Sequence, residues 1–377
     1  MKALTRFGLI SFAVGLYVGC SPVKFSLDSS KCNDIGQPCV VEEGKYSVGP
    51  TTITAGAGKV DILIVNDNSA SMSFEQKRMA PRFATFISDL DARKVDYRIA
   101  MTTTDVVGNN GGKLVFFDAG TAYLTPRHAN RQALFNQAIQ RPETRNCENF
   151  IADYLRKNGK NSINTSAYSA AYAQNCPSGD ERGVYQANLV VSNNPSGFIR
   201  PDAHLSVIFL SDEDVRSGLY GSQGYTLDTL DQPYTLANNV KNTLGIEKYN
   251  SFTVHAIVVQ DQACLSQQNT QILGDNPNPD TYGLVTGSIG TVYLQFPLAG
   301  WGRAVSICSN DYSTDLGQIR TSIAEKTQTV LLACANPTDL IVTGTSVGYT
   351  TVGKALKFAQ ALPPGTSITL SYKCDSL

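Results

Sequence analysis

The stretch DILIVNDNSASM, residues 61 to 72, begins as an apolar segment and ends as a cluster of small oxygen-bearing side chains. Its apolar residues run without the alternation of a half-buried strand, which is typical of a strand covered on both faces of a parallel sheet. Asp67, Ser69 and Ser71 follow at the point where that strand ends. Because ligands of such sheets bind at the carboxyl ends of the strands, the stretch predicts an α/β fold with a site at one edge of its sheet.

Strands and helices alternate along residues 58–333. The segments HLSVIFLS (204–211) and SFTVHAIVV (251–259) are again continuous apolar strands, and helical periodicity covers residues 74–90 and 314–327. This alternation predicts a doubly wound, mainly parallel sheet with helices on both faces.

Two shorter segments are interpreted as further strands. KLVFFD (113–118) follows the turn residues NNGG, which predicts a hairpin with the strand at 95–104. GTVYL (290–294) predicts a short strand of its own. Residues 119–180 are the least regular part of the chain, and we expect them to form a surface insertion.

The two ends of the chain differ in character from this domain. Residues 334–377 consist of short segments with β character and no helical periodicity, which predicts a small all-β module. Residues 20–57 are rich in Ser, Gly, Pro and Asp with little periodicity, which is typical of a linker or tether.

Residues 1–19 have the pattern of an export signal. Two basic residues precede the apolar stretch 7–19, which is too short to span a bilayer. LYVGC resembles a bacterial lipoprotein cleavage box, which implies a lipid on Cys20; ordinary cleavage nearby, followed by release, is the alternative. Serine follows the cysteine, and by the same resemblance this favours the outer membrane, on its surface or its periplasmic face.

The nine cysteines indicate an oxidising compartment. Apart from Cys20, eight remain, and an even number in an exported chain predicts disulfides. Pairing each cysteine with its neighbour predicts four local bridges, although other connectivities stay open: Cys32–Cys39, Cys147–Cys176, Cys264–Cys308 and Cys334–Cys374.

Composition excludes several classes of partner. The chain of 377 residues is 42% hydrophobic and 17% charged, and its formal charge is −1 from 31 basic and 32 acidic residues. This describes a globular core without a basic stripe, so we expect no nucleic-acid partner and no membrane contact except through a lipid anchor.

The residues at the strand ends predict a cation site. Asp212 follows the strand at 204–211 just as Asp67 follows the first strand, and Ser69 and Ser71 add two hydroxyls. Carboxylate and hydroxyl oxygens are the donors that Mg²⁺ or Mn²⁺ prefers. The alternative is that Asp67 and Ser69 cap the helix that follows them.

These residues are similar to those of the von Willebrand factor type A domain. That family holds a metal ion with DxSxS after its first strand, a threonine in a later loop and an aspartate after its fourth strand; Asp67, Ser69, Ser71 and Asp212 match. The resemblance implies the same fold over about residues 58–330 and a metal-ion-dependent adhesion site, in which an acidic group of the partner completes the coordination.

The threonine of that pattern has no direct counterpart. CPSGDERG stands before the predicted helix at 180–192, where the family has a glycine-threonine motif. We expect the hydroxyl of Ser178 to replace the threonine, with Asp180 as the second candidate; either could bind the metal through water.

The sequence favours binding over catalysis. GTSVG (344–348) matches the hydrolase GxSxG, but it lies between short β segments and no histidine follows it. His255 lies within a strand, so we interpret it as a core residue. We therefore expect no enzyme activity.

The leading hypothesis is a lipid-anchored envelope protein that binds a protein or glycan partner through the cation. The tyrosine-rich residues 157–176 would add contact area and be dispensable for the metal. The alternative is a periplasm-facing assembly scaffold that docks another envelope protein, with the metal incidental.

Overall fold

The computed structural model of the protein describes residues 29–35, 37–54, 59–106, 111–201, 203–216, 227–245, 248–249, 252–270, 287–310, 312–327, 330–359, 362 and 366–377. The predicted export signal and Cys20 lie outside the described residues.

The chain folds into strands and helices with the following bounds. The strands are β1 (Cys39–Glu42), β2 (Lys45–Thr54), β3 (Lys59–Asn66), β4 (Asp96–Thr103), β5 (His204–Ser211), β6 (Thr253–Val258), β7 (Ala304–Ser306), β8 (Val330–Leu331), β9 (Thr338–Thr343), β10 (Tyr349–Val352), β11 (Ala355–Phe358) and β12 (Ser367–Cys374). The helices are α1 (Ser73–Ala92), α2 (Arg131–Ile139), α3 (Pro142–Asn158), α4 (Ser166–Asn175), α5 (Gly183–Asn193), α6 (Pro233–Leu244), α7 (Gln262–Thr270), α8 (Thr291–Leu298) and α9 (Tyr312–Thr327).

Five parallel strands form the central sheet in the order β4-β3-β5-β6-β7. Alternate residues of a strand point to opposite faces. Ile62 and Ile64 of β3 accordingly pack in a cluster with residues of α1 and α9, such as Phe83. Leu63 and Val65 pack on the other face with residues of α5, α6 and α8. The prediction of an α/β fold with a parallel sheet covered on both faces is confirmed.

A buried ion pair between Asp61 and Arg200 lies at the end of the sheet where β3 begins. The carboxylate of Asp61 is fully buried and accepts hydrogen bonds from the Nε of Arg200 at 2.8 Å and from its backbone N–H at 2.6 Å. Arg200 also forms an ion pair with the half-exposed Asp96 at 2.8 Å, and the Nζ of Lys248 donates to the Arg200 carbonyl at 2.7 Å. The network ties β3, β4 and the segment before β5 together.

The two short predicted strands are not present. Residues 113–118 run along the edge strand β4 without a regular ladder; the N–H of Val115 donates to the carbonyl of Met101 at 2.7 Å. Residues 291–298 form helix α8, whose buried Val292, Tyr293 and Phe296 have helical spacing. Both segments are too short for periodicity to separate a strand from a helix or a loop.

The interpretation of residues 20–57 as a tether is wrong for the strands β1 and β2. The second sheet has the order β1-β2-β12-β9, so β2 pairs with β12 from the opposite end of the chain. Tyr46 and Val48 are 2% and 1% exposed and pack with Ile368 and Leu370. Apolar side chains at alternate positions of β2 therefore complete the core of the β module, which consists of both chain ends.

The predicted disulfides are confirmed. The bridges are Cys32–Cys39, Cys147–Cys176, Cys264–Cys308 and Cys334–Cys374. The first and the last lie in the β module, whose smaller sheet has the order β10-β11-β8. Such a set of bridges is typical of an exported protein. Among the helices of the described part of the chain, none is long and apolar enough to cross a membrane.

Candidate metal centre

Asp67 is the first residue after β3, and its side chain is fully buried. Its N–H donates to the carbonyl of Leu210 at 2.9 Å, which extends the pairing of β3 with β5 by one bond. Its carboxylate accepts hydrogen bonds from the Ser69 N–H at 2.8 Å and from the Ser211 hydroxyl at 2.5 Å. These bonds turn the chain sharply and fix the carboxylate at the carboxyl edge of the sheet.

The two serines join this loop to Asp212. The hydroxyls of Ser69 and Ser71 are 2.9 Å apart, and the Ser71 hydroxyl donates to the Asp212 carboxylate at 3.0 Å. The structure therefore brings the predicted Asp67, Ser69, Ser71 and Asp212 together, and each is at most 8% exposed. Of the capping alternative, the Ser69 part is not observed, because neither Ser69 nor Met72 makes a side-chain cap hydrogen bond to the helical turns that follow them.

Two further hydroxyls belong to the cluster and were missed from the sequence. Ser211 is the last residue of β5 and contacts Asp67. Thr104 follows β4 and also hydrogen bonds to the Asp67 carboxylate. Both stand where an apolar strand ends in polar residues, as Asp67 and Asp212 do, and this position was the signal that could have identified them.

The cluster concentrates buried acidic groups. Burial raises the pKa of Asp67, and hydrogen bonds from its neighbours oppose that rise. Burial also raises the pKa of Asp212 well above its usual range, and the charges of Asp67, Glu75 and Glu213 raise it further. A cation between the two aspartates would compensate for both burial and like charge.

The two candidates for the fifth ligand make other contacts. The Ser178 hydroxyl accepts from the Asp180 N–H at 2.9 Å, and the Ser178 N–H donates to Asp105 at 3.1 Å. The Asp180 carboxylate forms an ion pair with the Nε of Arg216 at 2.8 Å. Within the described residues, no hydrogen bond joins Ser178 or Asp180 to Asp67 or Asp212.

Glu181 is the buried carboxylate of this loop. Its side chain is 2% exposed, and its Oε2 has no hydrogen-bond partner among the described residues. Burial raises the pKa of Glu181 well above the usual range, and the negative charges of Glu213, Asp67 and Asp212 raise it further. The sequence places Glu181 next to Asp180, the second candidate, but only the conformation of the loop distinguishes these two carboxylates.

Backbone contacts explain that conformation. The N–H of Arg216, after β5, donates to the Glu181 carbonyl at 2.8 Å, and the N–H of Arg182 donates to the Thr104 carbonyl at 3.2 Å. The Arg182 side chain in turn pairs with the buried Asp231 at 2.6 Å. The loop before α5 is thus held between the ends of β4 and β5, on either side of β3.

Helix α3 of the insertion supports the DxSxS loop directly. The Thr144 hydroxyl donates to the Asn68 carbonyl at 2.8 Å. Cys147 is buried against Ala70 and forms the disulfide with Cys176. Residues 157–176 are therefore not independent of the site, and their deletion is expected to disturb the loop as well, contrary to the sequence-based expectation.

A partly exposed aromatic ladder extends from the insertion toward the acidic groups. It consists of Phe150, Tyr154, Tyr168 and Tyr172, whose successive ring centroids are 5.1 to 6.0 Å apart. Burial raises the pKa of Tyr172, and the charges of Glu181 and Glu213 raise it further. Tyr172 is therefore the end of the ladder that adjoins the cluster.

The remaining sequence features lie elsewhere. Ser346 of GTSVG is exposed between β9 and β10. His255 is fully buried in β6, where burial lowers its pKa to about 3 and its Nδ1 accepts from the Arg303 N–H at 3.2 Å. His255 is therefore a core residue, as predicted.

The donors fit a hard divalent cation, with hydroxyls as a necessary part of the set. Within the described residues, no three or more His, Cys, Asp or Glu side chains are arranged to hold a metal ion by themselves. Two carboxylates with the hydroxyls of Ser69 and Ser71 suit Mg²⁺ or Mn²⁺, which readily keep water as the other ligands.

No protein-family model and no curated protein matches the sequence. Solved structures with similarity include the pilus adhesin SpaC from Lactobacillus rhamnosus GG, at 12% identity and a TM-score of 0.37, covering 89% of this chain and 42% of the adhesin. Another is proximal thread matrix protein 1 from the mussel byssus, at 12% identity and a TM-score of 0.32, covering 79% and 52%.

The human COPII-coat protein Sec24c is similar at 10% identity and a TM-score of 0.31, covering 85% of this chain and 40% of that protein. The chain thus spans about half or less of the length of these structures. Similarity at such TM-scores does not decide a function, which must be inferred from the site itself.

Proposed function

We propose that the protein is an exported cell-envelope module that binds a protein or glycan partner through Mg²⁺ or Mn²⁺ held by Asp67, Ser69, Ser71 and Asp212. The observation that supports the cation most directly is the bridge from Ser71 to Asp212, which joins residues 141 positions apart inside one buried cluster. When bound, the cation supplies a Lewis-acid position that an acidic group of the partner completes.

The chain's own residues orient this site before any partner arrives. Asp67 and Asp212 provide the negative charge, and the two serine hydroxyls set the distance between the loops. The Gln76 amide donates to the Asp67 carbonyl at 2.8 Å and helps to hold the loop from the first turns of α1. Such preorganisation lowers the cost of ordering on binding.

The aromatic ladder supplies the contact surface for the partner. Tyrosine rings offer large, rigid contact area at low cost in side-chain entropy. The four disulfides support export. A lipid on Cys20 would anchor the module in the outer membrane and be its only contact with the membrane.

The metal is tested by thermal unfolding of the chain from residue 21 onward, in EDTA and then in Mg²⁺ or Mn²⁺. A cation that binds only the folded state at about 100 times its Kd stabilises it by about 2.7 kcal/mol. We expect this rise in melting temperature in the wild type and its loss in Asp67→Ala, which removes a central donor.

Asp214→Asn is the matched control. Asp214 is another buried carboxylate beside the site, but it accepts the Val292 N–H at the start of α8 at 3.0 Å. This variant should keep the metal response even if its melting temperature falls. Absence of a response in the wild type over a wide range of metal concentration would contradict the proposal.

The role of the ladder is tested with Tyr168→Ala. We expect this variant to keep the metal response of the wild type but to lose binding on arrays of glycans and envelope proteins, probed in Mg²⁺ with EDTA as the blank. A central aromatic contact is worth about 2 kcal/mol or more. Tyr234→Ala removes a 56% exposed tyrosine outside the ladder and should bind normally; equal binding by both variants would contradict the assignment.

A further inference from the structure

One carboxylate oxygen of Glu181 is buried without a hydrogen-bond partner among the described residues. The carboxylate is almost completely shielded from solvent, yet its Oε2 makes no hydrogen bond with any described residue. A buried acceptor without a partner is costly. The chain nevertheless holds Glu181 in place through the Arg216 N–H, 2.8 Å from its carbonyl.

The backbone places Glu181 next to the cluster, because the N–H of the following Arg182 donates to the carbonyl of Thr104, whose hydroxyl contacts Asp67. The groups whose charges act on Glu181 are Glu213, Asp67 and Asp212, so repulsion alone would drive the carboxylate away from this position. Among the described residues, the carboxylates of Glu181, Asp67 and Asp212 are not arranged to hold a metal ion directly. A gap between a carboxylate and a hydrated cation is filled by a water molecule that donates to the carboxylate.

We infer that Glu181, rather than Ser178 or Asp180, completes the site by accepting a hydrogen bond from a water bound to the cation. This inference rests on the proposed function. The divalent ion would then interact with three carboxylates, those of Asp67, Asp212 and Glu181, although two negative charges are enough to neutralise it. The cation is held more tightly and stays bound in the absence of a partner.

The test is titration of Mg²⁺ and Mn²⁺ by calorimetry into the chain from residue 21 onward, with melting temperatures recorded in EDTA. Glu181→Gln keeps the shape of the side chain and removes its charge. We expect its metal Kd to rise by about tenfold or more, as for other residues that contact a metal through a bound ligand. Its melting temperature in EDTA should be equal to that of the wild type or higher, because like-charge repulsion is relieved.

Two variants separate the possible outcomes. Asp180→Asn changes the adjacent carboxylate, which pairs with Arg216, and should leave the Kd within about twofold. Glu181→Asp keeps the charge and should retain more affinity than Glu181→Gln. If Glu181→Gln binds as the wild type does while Asp67→Ala does not bind, the inference fails and the proposed function stands.

Two other results would also overturn the inference. A lower melting temperature of Glu181→Gln in EDTA, with equal losses of affinity in Glu181→Gln and Asp180→Asn, would assign Glu181 a purely structural role. A wild type that binds neither metal would remove the proposed function and this inference together.

Discussion

A chain that begins at residue 58 is expected to lose the folded β module, although it keeps all of residues 334–377. Removing β2 takes away the strand that pairs with β12 from Thr54–Ser367 to Tyr46–Cys374. Only β12 and β9 of that sheet would remain, and a two-stranded ribbon is marginal in water. The lost Val48 side chain alone contributes about 1.5–3 kcal/mol of burial.

Hydrogen exchange of the β12 backbone amides measures this loss. In a chain that begins at residue 29 they should exchange slowly, and in the shorter chain they should exchange at rates close to those of an unfolded segment. The amides of β3 and β5 are the internal control and should stay protected in both chains. Slow exchange of β12 in the shorter chain would show that residues 39–54 are dispensable, as a tether would be.

Asp61→Ala is expected to lower the free energy of unfolding by about 3–5 kcal/mol, because it leaves the largely buried Arg200 without its main partner. The urea unfolding transition measures the effect. Asp96→Ala removes the other carboxylate that pairs with the same guanidinium, at the same distance of 2.8 Å but with a side chain that is 48% exposed. That control should cost about 1 kcal/mol or less.

The Asp61 variant also separates stability from the candidate site. Asp61 lies near the start of β3, whereas Asp67 follows its end. We therefore expect the metal-induced rise in melting temperature to persist in Asp61→Ala under conditions in which the variant is folded. If Asp61→Ala and Asp96→Ala lowered the free energy of unfolding equally, burial of the Asp61–Arg200 pair would not determine how much the pair contributes to stability.

Features that depend on local pattern could be predicted from the sequence. The uninterrupted apolar run of β3 required burial on both faces, and parallel strands then placed Asp67 and Asp212 at one edge. Neighbouring cysteines paired as expected because each bridge closes a local loop. Helix α8 was missed because five residues cannot show a helical period.

Features that depend on distant or irregular backbone could not be predicted. The Gly-, Pro- and Thr-rich composition of β2 concealed a strand whose partner is at the other end of the chain. Ser178, Asp180 and Glu181 share one short loop, and the sequence does not show the backbone bonds to Thr104 and Arg216 that set its conformation. The structure brings Asp67, Ser69, Ser71 and Asp212 together, and the fifth position is the subject of the inference about Glu181.

The pairing of β2 with β12 has a consequence for the order in which an exported chain acquires its structure. Thr52 and Thr369, whose hydroxyls are 3.1 Å apart, are separated by 317 positions along the chain. The Cys32–Cys39 loop and the pairing of β1 with β2 are local and can form as soon as these residues have crossed the membrane, but β2 must wait for residues 367–374 before it finds its second partner. A chain that stops before β12 would leave one edge of β2 unpaired and open to cleavage by envelope proteases. Completion of the second sheet thus reports that translocation has passed residue 374.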